Sequence, residues 1–85
     1  MRKVPEHLNR QNCDIIRRHF AFIQQKMEEE KIISYDNLFW IQQMTYYYPP
    51  ENTNYKYIQK AGALRKQAKI MLAYVRRNEI KKIEL

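Results

Sequence analysis

Apolar residues recur at helical spacing in three stretches of the chain. In the stretch from Asn54 to Val75, Tyr57, Ala61, Leu64, Ala68, Met71 or Leu72, and Val75 follow one another at steps of three and four. At 3.6 residues per turn these positions stack on one face. Ala, Lys, Gln, Arg, Leu and Met dominate between them, and all are good helix formers. Gly62 costs about 1 kcal/mol relative to Ala inside a helix. Its place between Ala61 and Ala63 suits either a close helix crossing or a glycine tolerated in the helix, and the second is the expectation.

The first stretch begins within Pro5–Asn12 and ends near Lys31. Pro5 suits a first helical position, and Asn9 and Asn12 are both plausible caps. Ile16, Phe20, Ile23 and Met27 form one stripe, with Ile15, His19 and Phe22 as its neighbour. Together they make a face broad enough to touch two other helices. Glu28, Glu29 and Glu30 close the helix with the wrong sign for its dipole, so basic groups are expected nearby. Ile32 and Ile33 read as a connection.

Ser34 is the expected cap of a second, shorter helix, with Asp36 in its first turn. Its apolar residues, from Tyr35 and Leu38 to Tyr46 and Tyr47, go almost all round, which suits a central or shared helix. Tyr48-Pro49-Pro50 stops it. Asn52, Thr53 or Asn54 caps the third helix, and Asn78 is a suitable left-handed stop.

The expected fold is all-α: a small three-helix bundle, long-short-long and up-down-up. It is a single domain over residues 1–85, with helices at about 8–31, 35–47 and 54–78. The tail 79–85 has no decisive pattern: it extends the helix, pairs as a short strand, or frays.

Lengths bear on self-association. At 1.5 Å per residue the outer helices span roughly 35 and 37 Å and the middle one roughly 20 Å. Unless the loop after Pro49 carries the chain further down, the third helix overshoots and leaves Met71, Leu72 and Val75 partly uncovered. Two accounts follow: a homodimer across a two-fold axis, or a monomer whose apolar faces meet a different partner.

Composition narrows the class. One Gly and three Pro in 85 residues, with 45% hydrophobic residues, fit neither a disordered chain nor a turn-rich β protein. No apolar run approaches 18 residues, so no membrane span is expected. The first residues, M-R-K-V-P-E-H-L, lack a signal-peptide core. A single cysteine, Cys13, forms no internal disulfide, which together with the missing signal suits an intracellular protein, cytoplasmic or nucleoid/nuclear.

The net charge of +7 is uneven. Residues 1–43 hold seven basic and six acidic side chains, residues 44–85 nine and three. The third helix carries seven Lys or Arg and no acid. This polarity favours an anionic partner and excludes a mimic of DNA.

No catalytic set is visible, so the chain is not expected to be an enzyme. His7 and His19 are twelve residues apart, and Cys13 and His19 face different ways on a helix. No Cys or His pair has zinc-ligand spacing, and the lone glycine rules out a phosphate-cradling loop, so no metal or cofactor is expected. His19 reads as a packed, hydrogen-bonded side chain, Cys13 as a small, partly buried one, and the three glutamates as a solvated helix end. The turn after the second helix is too long and proline-rich for a helix-turn-helix.

The binding candidates are Tyr46, Tyr47, Tyr48 and Tyr55 around the proline loop, with Lys56, Lys60, Lys66, Lys69, Arg76 and Arg77 along the third helix. Tyrosines beside lysines can anchor a protein interface. They can also stack bases and hold phosphates, or simply pack around the turn. The expected function is a small binding or regulatory protein that docks on a macromolecular partner. That partner is a protein, either foreign or a second copy of the chain (a homodimer). The alternative is a nucleic-acid- or nucleotide-binding module using the third helix.

Overall fold

The computed structural model describes residues 10–49 and 51–84. Among these residues three helices and two short strands follow in the order α1 (Arg10–Glu30), β1 (Ile32–Ser34), α2 (Tyr35–Thr45), α3 (Tyr55–Arg77) and β2 (Lys81–Ile83). Pro5, His7 and Asn9 lie outside the described residues. Asn12 lies inside α1.

Helix α1 buries Cys13, Phe20, Ile23 and Met27, with Ile16 half-buried on the same stripe. Its neighbouring stripe departs from expectation: Ile15, His19 and Phe22 are exposed, and His19 only touches α2, at Asn37. The reason is the placement of α2, which packs chiefly on α3. The chain leaves α1 through Lys31, whose φ of 57° is left-handed. The Lys31 amide donates to the Met27 carbonyl at 3.1 Å, closing the helix end.

Helix α2 starts on the expected cap: the Asn37 amide donates to Ser34 Oγ at 3.1 Å. It ends at Thr45, two residues early. The amides of Tyr46 and Tyr47 bond back three residues, to Gln43 and Met44, which tightens the last turn before Pro49 restricts Tyr48. Leu38, Ile41 and Met44 are buried, and Phe39 and Trp40 meet edge to face at 5.5 Å.

Helix α3 is capped by Asn54, whose Oδ1 accepts from the Lys56 amide at 2.8 Å. Tyr57, Ala61, Leu64, Ala68, Met71 and Val75 are buried, the stripe read from the sequence. Leu72 is half-buried. Of the three residues that an overshooting helix would leave partly uncovered, Met71 and Val75 are covered, only 1% and 4% exposed within the core that includes Ile33 and Ile80. Helix lengths therefore give no reason for a dimer.

Asn78 ends α3 but is not its left-handed residue; Glu79 is, with φ 51°. The Ile80 amide then bonds the Val75 carbonyl at 3.2 Å, and both side chains are buried. This is a Schellman closure with its hydrophobic contact.

The main departure from an all-α fold is the ribbon. β1 and β2 pair in parallel, Ile32 with Lys81, Ile33 with Lys82 and Ser34 with Ile83. Parallel strands need a long crossover, and here α2 and α3 supply it. The protein is therefore mostly helical with a small two-stranded parallel sheet. Among the described residues no helix is long and apolar enough to cross a membrane.

Candidate binding surface

The α2–α3 turn sorts its tyrosines into two kinds. Tyr46, Tyr48 and Tyr55 are 75%, 74% and 71% exposed. Tyr47 and Tyr57 turn inward, and their hydroxyls share a hydrogen bond. Burial, then the bond to Tyr47, pushes the Tyr57 hydroxyl well above the usual tyrosine range. Tyr47 is thus half-buried against the core, unlike the three other tyrosines nominated for binding.

Arg65 fixes the turn from below. Its Nη1 donates to the Tyr47 carbonyl at 3.4 Å, and its guanidinium lies 4.8 Å from the Tyr48 ring centroid. Such a cation–π contact at an exposed site contributes about 0.5–1 kcal/mol. Arg65 was not among the residues expected from the sequence. The sole hint was its position after Leu64, which sets it at the edge of the buried stripe. Tyr55 is held lightly, its hydroxyl accepting from Gln59 Nε2 at 3.0 Å.

The lysines and arginines do not gather into one cluster. Lys56 follows Tyr55 at the start of α3 and is exposed. Lys60 leans across to α1, where its Nζ pairs with Asp14 Oδ2 at 3.0 Å. Both ends of that pair are solvated, so it contributes little. Lys66, Lys69, Arg76 and Arg77 are exposed and have no acidic partner among the described residues. From Lys66 to Arg76 they extend roughly 15 Å along the helix. The arrangement offers aromatic surface at one end of α3 and unpaired positive charge along the rest.

Between α1 and α3 runs an open groove of ≈ 440 Å³, lined in part by Cys13, Arg17, Lys60, Lys66 and Ile70. Cys13 is only 2% exposed, and burial pushes its thiol up despite the nearby Lys60 charge. A thiol held protonated is a poor nucleophile. His19 is exposed rather than packed, with Nε2 3.4 Å from Asn37 Oδ1. Among the described residues no group of three or more His, Cys, Asp or Glu is placed to hold a metal.

The acidic end of α1 is held within its own helix. Lys26 pairs with Glu30 at 2.9 Å, and Gln24 and Gln25 donate to Glu28 and Glu29. Lys31, one residue on, lies over the Tyr74 ring of α3. The glutamates make no ion pair with Arg76, Arg77, Lys81 or Lys82 among the described residues.

Comparison with protein-family models, curated proteins and solved structures finds no match to this chain.

Proposed function

We propose that this chain is a small non-catalytic binding protein of regulatory type. It docks on a macromolecular partner, most simply a protein, through the tyrosine turn and the outward side of α3. One observation carries the reading: Tyr46, Tyr48 and Tyr55 stand about three-quarters exposed while their neighbours Tyr47 and Tyr57 pack inward. Tyrosine presents a large, stiff contact area with a polar tip, which suits an interface anchor. Arg65 beneath Tyr48 supports a preorganised turn, which lowers the ordering cost on binding. The contacts Asp14–Lys60 and Lys31–Tyr74 support an up-down-up bundle as the scaffold. An unpaired, buried Cys13 suits an intracellular setting.

The test is retention of partners from nuclease-treated extract of the source cells. The wild type retains a protein that the Tyr46→Ala, Tyr48→Ala, Tyr55→Ala triple variant loses, while circular dichroism shows both folded. Equal retention by the two counts against the surface.

A second reading, nucleic-acid binding, has its own support in the acid-free run of Lys66, Lys69, Arg76 and Arg77. Fluorescence anisotropy with labelled single strands and duplexes separates the two. Affinity that falls steeply with salt supports phosphate contacts. No binding at micromolar protein in low salt removes this reading.

A further inference from the structure

Helix α1 is charge-balanced in a chain of net charge +7. It holds Arg10, Arg17, Arg18 and Lys26 against Asp14, Glu28, Glu29 and Glu30. The signs are segregated along it, with three bases in the first half and three acids in the last turn. Its outer side carries Ile15 and Phe22, 62% and 55% exposed. Arg18 and Glu29 continue the same line, at steps of three, four and seven from Ile15. Beside Phe22 lies a mainly apolar cleft of ≈ 250 Å³, lined by Phe22, Ile23, Ile32, Ile33 and Ile83, with Lys26 and Glu30 also on its walls.

We propose that this side of α1 is self-complementary, and that a second copy of the chain docks on it antiparallel across a two-fold axis. An axis passing between Phe22 and Gln25 sets Arg18 of each copy against Glu29 of the other. The same axis sets Phe22 against Gln25 and brings Ile15 of each copy over the apolar cleft of the other. The cleft thus receives an apolar side chain, and the exposed Ile15 finds cover. A parallel arrangement would set like charges together instead. Two copies meet less readily through α3, which carries seven bases and no acid of its own and has only Lys60 paired, with Asp14 of α1, among the described residues. The α1 interface leaves both tyrosine turns outward, so the dimer would present the docking surface twice. The proposal stands on α1 alone and does not depend on what α3 binds.

Sedimentation equilibrium across a dilution series is the test. At tens of micromolar the wild type is expected at about twice the chain mass of 10.5 kDa, dissociating on dilution. Phe22→Glu is expected to stay monomeric with unchanged circular dichroism, since the replaced ring is more than half exposed. Arg18→Glu weakens association about tenfold, because symmetry applies the change twice. Adding Glu29→Arg to it restores the wild-type constant. A wild type that remains monomeric at high micromolar concentration overturns the proposal. So does a Phe22→Glu dimer, or a charge-swapped double variant no tighter than Arg18→Glu.

Discussion

Helices α1 and α3 are alike in length, 21 and 23 residues, and each buries one stripe of the same core. They differ in what they leave outside. α1 shows a balanced, sign-segregated surface with two large apolar side chains. α3 also exposes two apolar side chains, Ile58 and Ile70, but sets them among seven basic groups and no acid, with exposed tyrosines at its start and in the turn before it. The buried stripes account for the fold and say nothing of partners. The outer faces tell them apart: the proposed partner of one is a second copy of the chain, that of the other a foreign molecule.

The comparison breaks most visibly in stability. Leu64→Ala, at 2% exposure in the α3 stripe, is expected to cost about 2–5 kcal/mol in urea unfolding, enough to unfold much of so small a domain. Phe22→Ala on the outer face of α1 should change the unfolding of the monomer by no more than about 0.5 kcal/mol. A large loss from Phe22→Ala would mean that its ring belongs to the core.

Alkaline pH gives the next effect. The Tyr57 hydroxyl titrates above its unfolded value of about 10. A group whose folded pKa is raised contributes stability in full below its unfolded pKa and loses it as pH rises toward the folded one. Stability should therefore fall beyond about pH 10, and Tyr57→Phe should flatten that fall. Unfolding curves at about pH 8 and about pH 11, either side of the unfolded value, compare the two; parallel losses would remove the special role of Tyr57.

The smallest effects concern backbone. A methyl added to the only glycine, Gly62, would meet nothing within 4 Å, and the φ of that residue is not positive. Among the described residues the left-handed positions are filled instead by Lys31 and Glu79. Gly62→Ala is expected to stabilise by about 0.5–1 kcal/mol, and Glu79→Gly by up to about 1 kcal/mol. Thermal melts should show both rising. A Gly62→Ala variant that melts lower would point to a close approach at that turn.

The buried stripes of α1 and α3 were legible because a 3.6-residue period is a local signal spread over five or six positions. The caps Ser34 and Asn54 were legible because an oxygen two or three residues ahead of free amides is enough. The ribbon was not. Ile32-Ile33 is too short to distinguish a strand from a connection, and its partner lies some fifty residues on. Its formation also depends on Glu79 taking a conformation that favours glycine. The exposure of Ile15, His19 and Phe22 was hidden for a similar reason. It follows from α2 leaning on α3, which no periodicity records. In the candidate surface, exposed Tyr46, Tyr48 and Tyr55 were readable as an unusual cluster. The inward turn of Tyr47 and the clamp by Arg65 depend on where the loop returns the chain.

Docking through the tyrosine turn and outer α3 is tested most directly by retention of partners from nuclease-treated source extract. Wild type is compared with the tyrosine triple variant and with Lys66→Ala, Lys69→Ala. The account predicts a protein retained by the wild type, lost by the tyrosine variant and reduced by the lysine variant. Equal retention by all three would contradict it.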